Sequence, residues 1–140
     1  MNETIRIKLD EGAYEPVRAH DTDAGLDLRA KHTKVIFQHS SEVFGTGVHV
    51  ELPKGTAGLM VSKSGLNTMN DITSTGLVDE GYTGEVMVKL YNHGNTHFKV
   101  RAGDKISQLV IIPVFTPEVQ IVKEISGGER GNNGFGSSGR

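Results

Sequence analysis

The stretch GEVMVKLYN, residues 84–92, sets Val86, Val88 and Leu90 against Glu85, Met87, Lys89 and Tyr91 in strict alternation. A period of two predicts a strand with one buried face. Looser alternation, as with Ile5, Ile7 and Leu9, predicts further strands at residues 4–9, 25–30, 34–38, 46–52, 57–62, 105–113 and 118–124. Turn chemistry separates them at Leu52-Pro53-Lys54-Gly55, His93-Gly94-Asn95 and Ala102-Gly103-Asp104, while Pro113 and Pro117 suit a strand end or edge. Only residues 64–70 suit a brief helix. Many short, regularly spaced strands predict an all-β sandwich, jelly roll or small barrel, and 140 residues suffice for one such domain.

Composition sharpens this in two places. Glycine accounts for 18 of 140 residues, well above the ordinary share of about 7%, as a fold rich in tight turns requires. From Gly127 onward the chain holds six glycines, Ser137, Ser138 and a single aromatic, Phe135, and has almost nothing to bury, so this segment cannot fold alone. It reads either as a linker-like tail or as a flexible arm with a ligand. The second reading has chemistry behind it: glycine-rich backbone brings amides close to phosphate oxygens, Arg130 can fork onto phosphate, and Phe135 can stack on a flat base. The segment is not a P-loop, because it lacks the lysine after the second glycine.

A formal net charge of −2, with basic residues scattered along the chain, gives no positive field for DNA or RNA, so nucleic-acid binding is not expected. Without cysteine there is neither a disulfide framework nor a thiolate nucleophile. The start, MNETIRIKLDEG, is acidic and strand-like, unlike a secretory signal. The longest apolar run, residues 109–115, is far short of the ~20 residues of a membrane helix. A soluble, cytoplasmic protein with no membrane contact is expected. His93 and His97 have a metal-like spacing, but Gly94-Asn95-Thr96 between them is poor helix and no third ligand is apparent, so zinc is not expected.

Four stretches besides the 84–92 strand carry possible chemistry. In GLVDEGYTGE, Asp79 and Tyr82 precede that strand, with Gly81 and Gly84 as sources of turn freedom, so the hairpin either is an ordinary acidic turn or aims a carboxylate and a ring into one cleft. In AGLDLRA, Asp27 alternates with Leu26 and Leu28. SKSGLN offers Lys63, Ser64 and the Gly65 amide at a strand-to-helix transition, where Ser64 either caps the helix or helps bind an anion. In GDKISQLVIIPV, Gln108 interrupts a core-forming run.

In this order, AHDTDAGLDLRA, SKSGLN, GLVDEGYTGE, AGDKISQLVIIPV and ERGNNGFGSSG resemble the five motifs of the trimeric dUTP pyrophosphatases, or dUTPases, from about Ala19 almost to the last residue. The resemblance implies a distorted jelly roll spanning residues 1–126, with residues 127–140 as an arm that closes over the nucleotide of another subunit in a homotrimer with shared sites. It implies hydrolysis of dUTP to dUMP and pyrophosphate, which limits uracil incorporation into DNA and supplies dUMP for dTMP synthesis in a bacterial or phage-infected cell. Asp79 would be the base that activates water. Asp27 would hold Mg²⁺ through water, in keeping with the ion's reluctance to dehydrate. Lys63, Ser64, Gly65, Gln108, Arg130, Gly136, Ser137 and Ser138 would bind phosphates or close the site; Gly76, Leu77, Val78 and Met87 would line the uracil pocket; Tyr82 would pack beneath the deoxyribose and Phe135 over the base. This chain departs from the family pattern in three places: Lys63 replaces the usual Arg, the connection from Ser64 to Asp79 is a few residues shorter, and Thr73 stands about where many bacterial members carry a uracil-contacting Asn. Two alternatives share the fold: a dCTP deaminase-related enzyme, for which no glutamate-centred site is found, and a non-catalytic nucleotide-sensing protein.

Overall fold

The computed structural model describes residues 4–136, 138 and 139; Ser137, expected to bind substrate, lies outside the described residues. In chain order the elements are β1 (Arg6–Leu9), β2 (Gly25–Arg29), β3 (Lys34–Ile36), β4 (Ser41–Glu51), β5 (Thr56–Val61), α1 (Ser64–Asn70), β6 (Ile72–Val78), β7 (Glu85–Asn92), β8 (Phe98–Val100) and β9 (Lys105–Pro113). Seven strands form one curled antiparallel sheet in the order β1-β4-β7-β6-β5-β9-β2, and β3 pairs with β8 in a two-stranded ribbon. The fold is all-β, as its sequence pattern predicts.

Strand β7 buries Val86, Val88 and Leu90 and exposes Met87, Lys89 and Tyr91. Its inward residues meet Phe44, Val48 and Val50 of β4, Ile36, Ile72 and Leu109 in one continuous core. Strand β2 is buried from Gly25 to Leu28, Asp27 included. Strand β6 changes partner midway, pairing with β7 at Ile72–Ser74 and with β5 at Thr75–Val78. That change turns the corner of the sheet.

Three expectations are corrected. Strand β6 went unpredicted because Ser74 and Gly76 occupy inward positions between Ile72 and Val78, hiding the apolar alternation. Strand β4 starts at Ser41, five residues before the expected Thr46: Gly45 and Gly47, which interrupt the apolar alternation, lie at a β-bulge opposite Glu85–Met87. Gly47 supplies the positive φ of 68° that the bulge needs. Residues 118–124 are no strand, although their alternation is real; Val119 and Ile121 are 85% and 89% exposed, because no strand of this chain lies beside them to complete a ladder.

Buried polar groups lock the ends of these strands. Asn92, 2% exposed, donates through Nδ2 to the Ile36 and Thr96 carbonyls at 3.0 and 2.9 Å, and its Oδ1 accepts from the Gly94 amide at 2.9 Å. Asn92→Ala strands all three partners, so it is expected to lower the unfolding free energy by about 2–3 kcal/mol, measured by urea titration at fixed protomer concentration. A loss under about 0.5 kcal/mol would show that the three bonds are dispensable.

Candidate active site

The expected functional residues fall into two groups. The first lies where β6 turns into β7. The end of β6 delivers Leu77, Val78 and Asp79, the start of β7 delivers Met87, and with Tyr82, Met60, Glu85 and Val86 they line a cleft of ≈ 250 Å³. The Asp79 carbonyl accepts from the Tyr82 amide at 3.0 Å, which closes the turn. The Tyr82 hydroxyl donates to the Glu85 carbonyl at 2.7 Å, laying the ring across Gly84. A Cβ on Gly84 would stand 2.5 Å from that hydroxyl. Gly84 is therefore required for space: neither it nor Gly81 adopts a positive φ, contrary to the turn freedom expected of them. Asp79 is exposed, and the apolar flanks of Leu77, Met87 and Tyr82 present a flat-walled slot beside its carboxylate. Such a slot suits a planar ring with a reacting group at its edge.

The second group gathers around Asp27. The carboxylate is buried, with Oδ1 2.5 Å from the Lys63 ammonium and Oδ2 3.2 Å from that of Lys105. Burial pushes the Asp27 carboxyl up, but hydrogen bonds from the two lysines outweigh it and hold the group below its ordinary 3.8. Across the ladder from Asp27 lies Gln108, whose Nε2 donates to the Ser62 carbonyl at 3.1 Å. Lys63 forms the N-cap of α1 without a side-chain cap bond, so Ser64 is the first helical residue rather than the cap; it and Gly65 are exposed beside the ammonium. An anion arriving here meets two lysines, an amide side chain and a hydroxyl.

A carboxylate offers about four acceptor sites, and two lysines leave Asp27 with lone pairs for a water. Among the described residues no three His, Asp or Glu side chains group to cage an ion. A divalent cation here would thus be held by Asp27 through water and by the oxygens of a ligand, a division that fits Mg²⁺.

Sheet geometry keeps the two groups apart. Val78 pairs with Gly58, so Asp79 lies opposite the start of β5, whereas Lys63 follows its end. Six residues of extended chain separate those points by about 20 Å. The described residues of the arm reach neither group: Phe135 is fully exposed, Gly136 and Ser138 are exposed, and Arg130 donates to the Gly134 carbonyl at 2.7 Å. Lys105 is a member of the second group that sequence reasoning missed, although an acid inside an otherwise apolar strand demands a basic partner from a neighbouring strand.

The family model described as dUTPase matches residues 13–139. A deoxyuridine 5'-triphosphate nucleotidohydrolase of Clostridium acetobutylicum is 47% identical over 94% of this chain and 93% of its own length. One from Tropheryma whipplei is 44% identical over 98% and 96%. Among solved structures, a dUTPase of Staphylococcus bacteriophage 80alpha with dUpNHpp superposes with a TM-score of 0.92 at 31% identity, over 99% of this chain and all of that one. A dUTPase of phage phi11, described with a structural Mg(II) ion, gives a TM-score of 0.81 at 30% identity, over 87% of this chain and 98% of that one.

The Asp27 ion pairs yield a pH-dependent expectation. A depressed carboxyl stabilises the fold above its ordinary pKa and loses that contribution as pH falls through the lowered value. At pH 7, Asp27→Asn should cost about 1–2 kcal/mol, allowing for the partly exposed lysines. The gap from the parent should close as pH drops below 3.8 in urea titrations. A gap that stays constant down to pH 3 would mean that the pairs contribute nothing.

Proposed function

The chain belongs to the dUTPase family and is a dUTP-hydrolysing enzyme, and we propose that it forms dUMP and pyrophosphate through a water activated by Asp79. The observation that carries this reading is the cleft in which Asp79, Tyr82 and Met87 converge at the β6–β7 turn. The uracil ring would enter between Leu77 and Met87, where the backbone of Gly76, Leu77 and Val78 can read its edge. Tyr82 would lie beneath the deoxyribose and leave no room for a 2′-hydroxyl. The exposed Asp79 carboxylate would take a proton from water and orient it for in-line attack on the α-phosphorus. Charge then develops on the departing pyrophosphate. Lys63, Lys105, Gln108 and Ser64 would receive it, with Arg130, Ser138 and the amides of the arm. When bound through Asp27, Mg²⁺ would supply further neutralisation of the triphosphate. No covalent intermediate is needed.

The ≈ 20 Å between Asp79 and Lys63 exceeds what one triphosphate bound within one chain can bridge. The site is therefore assembled between copies: the Asp79 cleft of one protomer faces the Asp27 group of another, and residues 127–140 of a third cover the ligand, as a homotrimer allows. In the cell this activity would keep uracil out of DNA and supply dUMP for dTMP synthesis in the cytoplasm.

Pyrophosphate release measured across dUTP, UTP, dTTP and dCTP tests the assignment, and dUTP should be strongly preferred. Asp79→Asn keeps the shape of the carboxylate but cannot take the proton, so kcat for dUTP should fall at least about a thousandfold. Binding of dUpNHpp, followed by calorimetry, should hold within a few-fold. A variant within a few-fold of the parent rate would remove Asp79 as the base.

Deleting residues 127–140 should leave the fold and oligomeric state unchanged but remove most activity, because the described residues of the segment are all exposed while a closing arm excludes water. Mixing the deletion variant with Asp79→Asn should restore part of the activity, once mass measurement verifies mixed trimers. Verified hybrids without recovery would place the arm within its own subunit.

A further inference from the structure

One titratable cluster lies outside both groups and touches the turn that carries Tyr82. His49, on β4 just past the Gly45–Gly47 bulge, has Nδ1 2.9 Å from the Thr83 carbonyl and Nε2 3.1 Å from each carboxylate oxygen of Asp10. Both partners only accept. A neutral imidazole carries a single N–H, so the ring satisfies both only as the imidazolium. The bulge aims it: Thr46 donates to the Val86 carbonyl at 2.6 Å, the Gly47 amide donates to Glu85 Oε2 at 2.9 Å, and pairing resumes with His49 opposite Glu85. Glu85 is also the residue whose carbonyl holds the Tyr82 hydroxyl. His49 thus grips the residue after Tyr82 and lies across from the residue that fixes its ring.

We propose that His49 is a positioning residue for Tyr82: as an imidazolium it fixes the turn at residues 82–84, and on losing its proton it relaxes the preference for deoxyribose over ribose. The charged groups around it are Asp10, after β1; Lys8, paired with it from β1; Glu85, across on β7; and Arg6 and Glu51, which pair with each other at 3.2 Å. The Thr83 carbonyl and the Asp10 carboxylate raise the imidazole above its ordinary 6.5 against partial burial and the Lys8 charge. In return, the His49 hydrogen bond holds Asp10 below 3.8. The clamp is therefore fully present below pH 6.5 and is lost as pH rises through the raised His49 value.

The proposal rests on Tyr82 lying beneath the sugar, and its test separates the two. The ratio of kcat/KM for dUTP to that for UTP is measured between pH 6 and 9; pH effects on the steps common to both substrates cancel. The parent ratio should fall about three- to tenfold over this range, the worth of one hydrogen bond. His49→Leu should give a low, flat ratio. His49→Asn places an amide donor near the Nδ1 position without a titrating group, so its ratio should stay high and flat. A parent ratio that does not change with pH, or a His49→Leu ratio that follows the parent's, overturns the proposal. NMR supplies a readout without turnover: the His49 ring and the Thr83 and Gly84 amides should titrate together, above 6.5. If they do not, the clamp itself fails. If they do while dUTP and UTP are never distinguished at any pH, it is the sugar contact of Tyr82 that fails, and the proposal with it.

Discussion

The length of β5 is the constraint from which the functional arrangement follows. Paired along its whole length with β9 on one side and with β6 from Gly58 to Val61 on the other, this strand cannot bend to bring its ends together. One end meets the turn bearing Asp79; the other runs into Lys63 and α1. Each end is thereby free to have its own character. The Asp79 end opens onto the cleft lined by Leu77, Tyr82 and Met87, while the Lys63 end carries the ion pairs of Asp27. The same strand therefore sets the distance between the two groups.

Hydroxyls and amides hold the sheet where apolar packing cannot. At the point where β6 changes partner, Ser74 and Ser107 hydrogen-bond each other at 2.9 Å, Ser107 donates to the Val61 carbonyl, and Ser62 Oγ accepts from the Ser74 amide. These bonds lie one or two residues from Lys63 and Gln108, so the backbone beneath the anion-binding group is fixed from below. Every buried side-chain nitrogen and oxygen among the described residues has a partner. In a low-dielectric interior, a network of this kind rigidifies only when it is complete.

Much of this was legible in the sequence, for identifiable reasons. Strand β7 announced itself because three successive inward positions, Val86, Val88 and Leu90, are branched aliphatics, and α1 was bounded to the residue because it lies between a strand end and Asp71, which adopts φ 57°. The cleft residues Leu77, Val78, Asp79, Tyr82 and Met87 come together because a hairpin is local, and local geometry can be read from spacing. What stayed hidden was long-range. Lys105 and His49 meet their partners through pairing between strands far apart in the chain, and β6 carries Ser and Gly inward, where periodicity expects an aliphatic. The strand expected at residues 118–124 failed for the converse reason: its pattern is sound, but a strand also needs a neighbour.

The position of β9 has a consequence for the order in which the chain can acquire its structure. Strand β2 borders the sheet only through β9, about 80 residues later in the chain. Until β9 is made, the most thoroughly buried strand has only the single backbone bridge from Asp27 to Val17, and Asp27 lacks its partner Lys105. The hairpin of β6 and β7 can form early from neighbouring residues; the anion-binding group cannot. During synthesis, the cleft at the β6–β7 turn is therefore expected to take shape well before the Asp27 ion pairs, which appear only as the sheet closes, just ahead of residues 115–125.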